Sequence, residues 1–466
     1  MKFKIPALII PSAAVFASVL PAETLTYDGS ASGSFYDASF WGGTVPSASS
    51  DILFDEINKE TKYKIDATQG VTINSLTDNS ITNRTAHEGY SPWGNNIIIE
   101  IGDSVFTVIG DVTIASNHNY APFAFISSAD GVGEVAIGGS IISKEASDGT
   151  QGESLFGDGK LLKSVSVGGN IELQNSRLRF HAESVSVAGV LNYNSGKLNL
   201  FYGSASGRAI SYSFGGINGT NQEIRIGGNP SVNHMLENSS LTITLTNSGT
   251  SKFSGKLMYD ADGVGQNNTF NLVMDGSASG AQYFENTGDA LTFDNITVKS
   301  GKLNYSDALG KSAIYLEGGT LSPATASGEI AILKAESIAW DAGKISFNLT
   351  EDTSVSDKIE LAYALSKTSF SVSGGVREIE LVADAYDIAA WIEANDGPIT
   401  YTLMEYSSTD MTNSDVIFTQ IDGINIEWDF GDTALTVTLS KVPEPAAVAA
   451  AIGAMALAAA FLRRRR

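Results

Sequence analysis

A short unit recurs along this chain: two apolar residues one position apart, a turn of small residues, then a third apolar residue. Its copies are Phe106-Thr-Val-Ile-Gly-Asp-Val112, Val135-Ala-Ile-Gly-Gly-Ser-Ile141, Val165-Ser-Val-Gly-Gly-Asn-Ile171 and Val185-Ser-Val-Ala-Gly-Val-Leu191. Ile296-Thr-Val-Lys-Ser-Gly-Lys-Leu303 and Ile314-Tyr-Leu-Glu-Gly-Gly-Thr-Leu321 follow the same plan. Successive starts lie 29, 30 and 20 residues apart, then after a long gap 18 apart. Alternation with period two belongs to strands with one buried face, and Gly-Gly or Ser-Gly marks a sharp bend between them. The spacing falls in the range of solenoid repeats. Stacking such units lays the Val and Ile of one rung on those of the next, about 4.8 Å away. The expected fold is all-β, a right-handed parallel β-helix. The rival is an antiparallel sandwich in which the same units are hairpins, but Asn-Gly and Asp-Gly hairpin turns do not dominate the repeats.

Composition agrees with an extended, turn-rich β protein. Charged residues make up 17%, below the usual quarter, while Gly reaches 47 of 466 residues. Cysteine is absent, so stability must come from a continuous core, and thiol catalysis and Cys-based metal sites are excluded. Lys2, Lys4, Arg463, Arg464, Arg465 and Arg466 are six of the 29 basic residues, and Glu444 is one of the 52 acidic ones. The body between carries 23 against 51, a net of −28. A surface of that sign repels nucleic acid and anionic membrane.

The two ends read as sorting segments. Val442-Pro443-Glu444-Pro445 is stiff and extended, because proline fixes φ and lacks an N–H. Residues 446–462 carry no polar or charged side chain. As a helix those 17 residues would span roughly 26 Å, the short end of what crosses a bilayer. Arg463, Arg464, Arg465 and Arg466 then form a positive stop that prefers the cytoplasmic side. This order resembles the PEP-CTERM sorting signal of Gram-negative bacteria. The resemblance implies recognition by an exosortase, a membrane-embedded transpeptidase-like protease, with cutting near Pro443 to Pro445. Release or attachment at the cell surface would follow. A plain tail anchor would share the helix but has no use for a proline-bracketed glutamate. At the other end, Met1-Lys2-Phe3-Lys4 precedes an apolar stretch over 5–20, and small residues allow cleavage after Ala22 or Ala17. Pro6, Pro11 and Pro21 argue against an uncleaved anchor helix. The body is therefore expected to be exported through an inner-membrane intermediate to the outer membrane, cell surface or exterior.

The expected organisation is a signal peptide over 1–22, a β-helical body over 23–324, a C-terminal β-rich cap over 325–441 and the sorting segment over 442–466. Thr26-Tyr27, Phe40-Trp41-Gly42-Gly43-Thr44-Val45-Pro46 and Ser50-Asp51-Ile52-Leu53-Phe54-Asp55 resemble the opening of autotransporter-type passenger domains. In that family an aromatic segment and an Asp-apolar strand cap the first rung, and its translocating barrel has no counterpart here. Past Gly328, strands are expected over 330–334, 337–340, 344–349, 358–361, 378–382, 400–406 and 435–439, with one helix over 384–394. The cap would close the solenoid, or else form a separate small sandwich.

Nothing in the body reads as catalytic, and no cofactor or metal is expected. His87, His118, His181 and His234 are unpaired in sequence, and no zinc-protease, hydrolase-elbow or phosphate-loop motif occurs. Asp130-Gly131, Asp148-Gly149, Asp158-Gly159 and Asp262-Gly263 read as turns. The stretch Asp260 to Asn268 imitates a calcium loop but places Val264 at a ligand position and Asn271 where a bidentate glutamate belongs. Tyr90, Trp93, Tyr120, Phe123 and Tyr202 could stack on sugars if exposed. The polar runs 246–251 and 277–280 read as solvated loops. The expected function is that of a structural or adhesive surface protein, with the exosortase and an extracellular polysaccharide as partners. The rivals are a β-helical polysaccharide lyase or glycoside hydrolase, and a glycan-binding module.

Overall fold

A computed structural model describes residues 22–28, 32–55, 63–79, 97–115, 123–145, 153–157, 159–201, 205–226, 236–259, 268–285, 293–306, 312–326, 328–368, 375–383 and 385–442, with 454, 455 and 457. Within them the repeats stack as expected. Phe106, Val135, Val165, Val185 and Tyr212 are partners in register across consecutive parallel strands. Beyond the corner, Val112, Ile141, Ile171, Leu191 and Ile217 form a second parallel row. Ile296 pairs with Ile314 and Leu303 with Leu321, as the two later repeats require. All these residues are buried. Each inward Val, Ile or Phe contributes about 1.5–3 kcal/mol of transfer free energy.

One coil shows the construction. Strand Leu162–Val167 ends at Gly168-Gly169, and Ile171–Gln174 follows. Asn175, at φ 50°, turns the chain into Ser176–Phe180, and His181 leads to the next coil at Ala182–Val187. The first strand of each coil belongs to a 13-stranded sheet paired in parallel throughout, running from Val71–Ile73 to Ser408–Thr409. The other two join a 22-stranded parallel sheet. The architecture is a parallel β-solenoid with three strand rows.

The corner glycines answer to the neighbouring rung. A Cβ at Gly168 would sit against the carbonyl oxygen of Gly138, and one at Gly139 against Gly110. The following residues lock each coil to the next: Asp111 Oδ1 accepts from Ser140 N, Ser140 Oγ from Asn170 N, and Asn170 Oδ1 from Val190 N, at 2.7, 3.0 and 2.9 Å.

Three coils lie in the long gap between repeats, with strands Ala209–Phe214, Ser240–Leu245 and Thr269–Asp275. The run 246–251 is not a solvated loop throughout. Asn247 is fully buried, its Nδ2 donating to the Ala281 carbonyl at 2.9 Å, and Ser251 is buried in strand Thr250–Tyr259. Gln282, also buried, uses its amide as a peptide substitute, bonding both the N–H and the C=O of Ile217 at 2.9 Å.

The first coil is closed by aromatics. Asp37 caps the 3-10 turn Ala38–Trp41, whose Trp41 donates from Nε1 to the Ser34 carbonyl at 2.8 Å. Trp41 packs on Tyr27 and Phe35 with centroids 5.2 and 5.0 Å apart, all three buried. Phe123, expected to be an exposed aromatic, lies instead 1% exposed in the core. It belongs to a stack continuing through Phe125, Phe156 and Phe180. Its strand alternation turns the ring inward onto Phe54.

At the other end the parallel rows do not break at 324/325. Ile314, Ile338 and Leu365 continue one row, and Leu321, Ile345, Ile379 and Phe418 another. Pairing changes later. In a five-stranded sheet, Ile332–Ala335, Lys358–Leu361 and Ile399–Glu405 are parallel, while Ala434–Lys441 and Ile424–Phe430 pair antiparallel. Helix Ala385–Ala394 buries Ile388 and Ile392 and packs on these last two strands. This antiparallel end occupies a sheet edge that parallel stacking would leave open.

Candidate functional site

The segment expected to carry the sorting motif begins at Val442, just after the strand Ala434–Lys441. Val442 N–H donates to the Gly423 carbonyl at 3.0 Å, and its side chain is 53% exposed. Pro443, Glu444 and Pro445 lie outside the described residues, as do Arg463, Arg464, Arg465 and Arg466 and residues 1–21 of the signal peptide expected over 1–22. Of 446–462 only Ala454, Met455 and Leu457 are described, as helix, and among the described residues no helix is long and apolar enough to cross a membrane.

Of the other residues singled out, His181 is buried edge-on to Phe201. His87, His118, His234, Tyr90, Trp93, Tyr120 and Tyr202 lie outside the described residues, as does 260–267 of the calcium-like loop. Asp130 serves a turn: its Oδ1 accepts from Leu161 N at 2.8 Å, and Gly131 takes φ 76°. Among the described residues no group of three or more His, Cys, Asp or Glu is placed to hold a metal ion.

The outer face of the 13-stranded sheet was not legible in the sequence. Strand register aligns Thr72, Thr107, Ala136, Ser166, Ser186, Ser213, Thr244, Val273, Thr297, Tyr315, Ala339 and Ser366 in one outward row. The neighbouring row holds Glu134, Ser164, Ser184, Ser211, Thr242, Asn271, Asn295, Ala313 and Ser337. Glu134 is its one ionised member, paired with Lys163 at 2.6 Å. That Lys163 contact and a Ser164 hydroxyl lower its pKa. A shallow depression of about 410 Å³ runs along this face past Thr107, Ile109, Ala136, Ser166 and Ser186. Its lining is hydroxyl and methyl, which suits contact and hydrogen bonding and offers no general acid or base.

A buried acid with a raised pKa lies elsewhere. Asp357, fully buried, accepts from Ala331 N at 2.8 Å and Asn348 N at 2.7 Å, tying the crossing segment to the sheet. Burial pushes its pKa up to about 6 against the pull of these bonds and of Lys302. Lys302 is itself lowered by burial, with Glu380 and Asp357 opposing. Lys344 bridges Glu380 at 3.1 Å and Glu378 at 3.5 Å on strands of the 22-stranded sheet. Both oxygens of Asp357 are engaged by the backbone, so its geometry is that of a structural clamp.

No protein-family model, curated protein or solved structure matches the chain.

Proposed function

We propose that this is an exported, non-enzymatic structural or adhesive surface protein of a Gram-negative bacterium, sorted by an exosortase. Residues 446–462 would hold the inner-membrane intermediate as a short transmembrane helix, with Arg463, Arg464, Arg465 and Arg466 inside. Glu444 and its flanking prolines would be what the protease reads. The observation that carries the reading is the order of the tail, which follows in sequence on a described body that runs to Val442. In sequence the motif follows directly on the last strand, Ala434–Lys441. A cysteine-free solenoid with closed ends also suits an elongated surface module. The right-handed sense of the coil belongs to the same proposal, since parallel crossovers follow strand twist in that hand.

The test is tail processing in the native host. Replacing Pro443→Ala, Glu444→Ala and Pro445→Ala together should leave the full-length tail attached to the inner membrane. Equally efficient tail loss in that variant would show that the tail is not an exosortase signal.

A further inference from the structure

The two outward rows of the 13-stranded sheet stand apart from the rest of this acidic chain. They hold one charged side chain, Glu134, and Lys163 pairs with it at 2.6 Å. Strands of the 22-stranded sheet instead carry Glu100, Glu172, Glu223, Glu378 and Glu380, each partly exposed. On the hydroxyl face Ser166, Ser186 and Ser211 are exposed. Val105 and Ile109 flank Thr107 at alternate positions of the same face and are 42% and 50% exposed, so the face also carries apolar surface.

Two physical properties of such a face select its partner. A hydroxyl both donates and accepts, so a row of Ser and Thr can hydrogen-bond an identical row facing it. A row of like charges cannot, because a copy brings the same sign. Two copies, each of net charge −23, repel over most of their surface, and approach is least opposed where the face is neutral. The face is also large enough. Its 13 strands, about 4.8 Å apart, make a strip roughly 60 Å long, and two outward positions with their side chains make it roughly 10 Å wide. A pair of such strips would bury about 1,200 Å², the lower end of stable interfaces.

We propose that this hydroxyl face is an interface between two copies of the chain, packed face to face about a two-fold axis. In such a pair each copy offers the same patch, which must therefore complement itself. Small Ser, Thr and Ala side chains let the two sheets approach closely, and Val105 and Ile109 add apolar surface to be covered. A neutral glycan would meet the same hydroxyls, but apart from Tyr315 the rows lack the aromatic rings on which sugars stack. The inference rests on the adhesive reading for its setting, contact between protein molecules at a cell surface, and its test does not involve tail processing.

The test is sedimentation equilibrium of the full-length protein in a density-matched non-ionic detergent, at concentrations up to about 100 µM, where even a weak interface of this area is populated. The wild type should show a monomer–dimer equilibrium. Raising ionic strength from about 0.01 M to about 0.15 M should strengthen it, because salt screens the repulsion between two acidic chains. That arm needs no variant. Combined Ser166→Asp, Ser211→Asp and Asn271→Asp, on alternate coils, should weaken dimerisation by about tenfold or more in Kd. This aspartate variant should associate more tightly with a partner carrying Ser166→Lys, Ser211→Lys and Asn271→Lys than with itself. A control carrying Thr24→Asp, Gln174→Asp and Thr220→Asp adds the same charge to the 22-stranded sheet and should dimerise like the wild type. The proposal is overturned by a monomeric wild type, by association that weakens as salt rises, by equal loss in the control, or by no gain on mixing the aspartate and lysine variants. Undiminished association of the aspartate variant would assign the dimer to the apolar tail and overturn it as well. A monomeric wild type retarded in dextran gels would give the face to a neutral glycan instead. None of these outcomes depends on tail cleavage, which the alanine variants at Pro443, Glu444 and Pro445 read separately.

Discussion

Val167 and Ser166 are neighbours in sequence with opposite fates. Val167 is 2% exposed and sits in register with Val187, 1% exposed, across one strand spacing, whereas Ser166 faces solvent on the hydroxyl-rich face. Val167→Asp would bury an unpaired charge among apolar neighbours and should cost several kcal/mol in denaturant unfolding. Ser166→Asp should change stability by no more than about 0.5 kcal/mol. Similar losses for both would refute the assigned faces.

Asp357 makes a pH prediction whose sign is fixed by its environment. Burial raises its carboxyl from 3.8 to about 6 in the folded state. The native protein therefore holds this proton more tightly than the unfolded chain does. Its contribution to stability is fully present below the unfolded value and is lost as pH rises through about 6. A carbon-13 titration of the side-chain carboxyl should show a midpoint well above the ordinary carboxylate range. A midpoint at or below 3.8 would remove the clamp's proton from the account.

At the scale of the element, the corner decides. Gly-Gly in the repeats suggested a bend, but at Gly168 the need is close approach, because a Cβ would press on the Gly138 carbonyl. Gly42 differs, with φ 69° and nothing within 4 Å of the same added atom. Gly168→Ala should therefore cost roughly 1–3 kcal/mol through overpacking of rungs. Gly42→Ala should cost only the milder strain of a left-handed residue, about 1 kcal/mol. Thermal melts that reverse this order would contradict the stacked corner. The strands themselves were easily read where alternation met a glycine corner, at Phe106, Val135, Val165 and Val185. The coil at 240–245 was missed because its corner carries Thr246 and the buried Asn247, whereas the coil at 209–214 has a Gly215-Gly216 corner but aromatic Tyr212 and Phe214 in place of Val.

At the scale of the molecule, the described coils of the solenoid offer long strand faces. A depression on one face is lined by residues such as Thr107, Ile109, Ala136, Ser166 and Ser186, and the buried carboxylate of Asp357 is held by two backbone N–H groups. The purified protein should accordingly release no oligosaccharide from pectin, alginate or mucin glycans, with or without Ca²⁺. Release abolished by a single Asp or Glu substitution would make it an enzyme instead.

By itself, the sequence determined the local terms: period-two strands, glycine corners, an aromatic opening, an acidic body, and tails whose proline, apolar and arginine segments follow in order. These are properties of neighbours along the chain, and neighbours are what a sequence displays. Tertiary structure alone decided which residues share a face. Coil length changes from one repeat to the next, so Val165, Val185 and Tyr212 have no common spacing that would announce a row. Hydrogen-bond register brings them into line. The same holds for Asp357, whose partners Ala331 and Asn348 are united only when a crossing segment folds over the sheet. It holds too for the parallel ladder past residue 325, because pairing energy depends on the edge offered by the preceding coil and leaves no mark in composition.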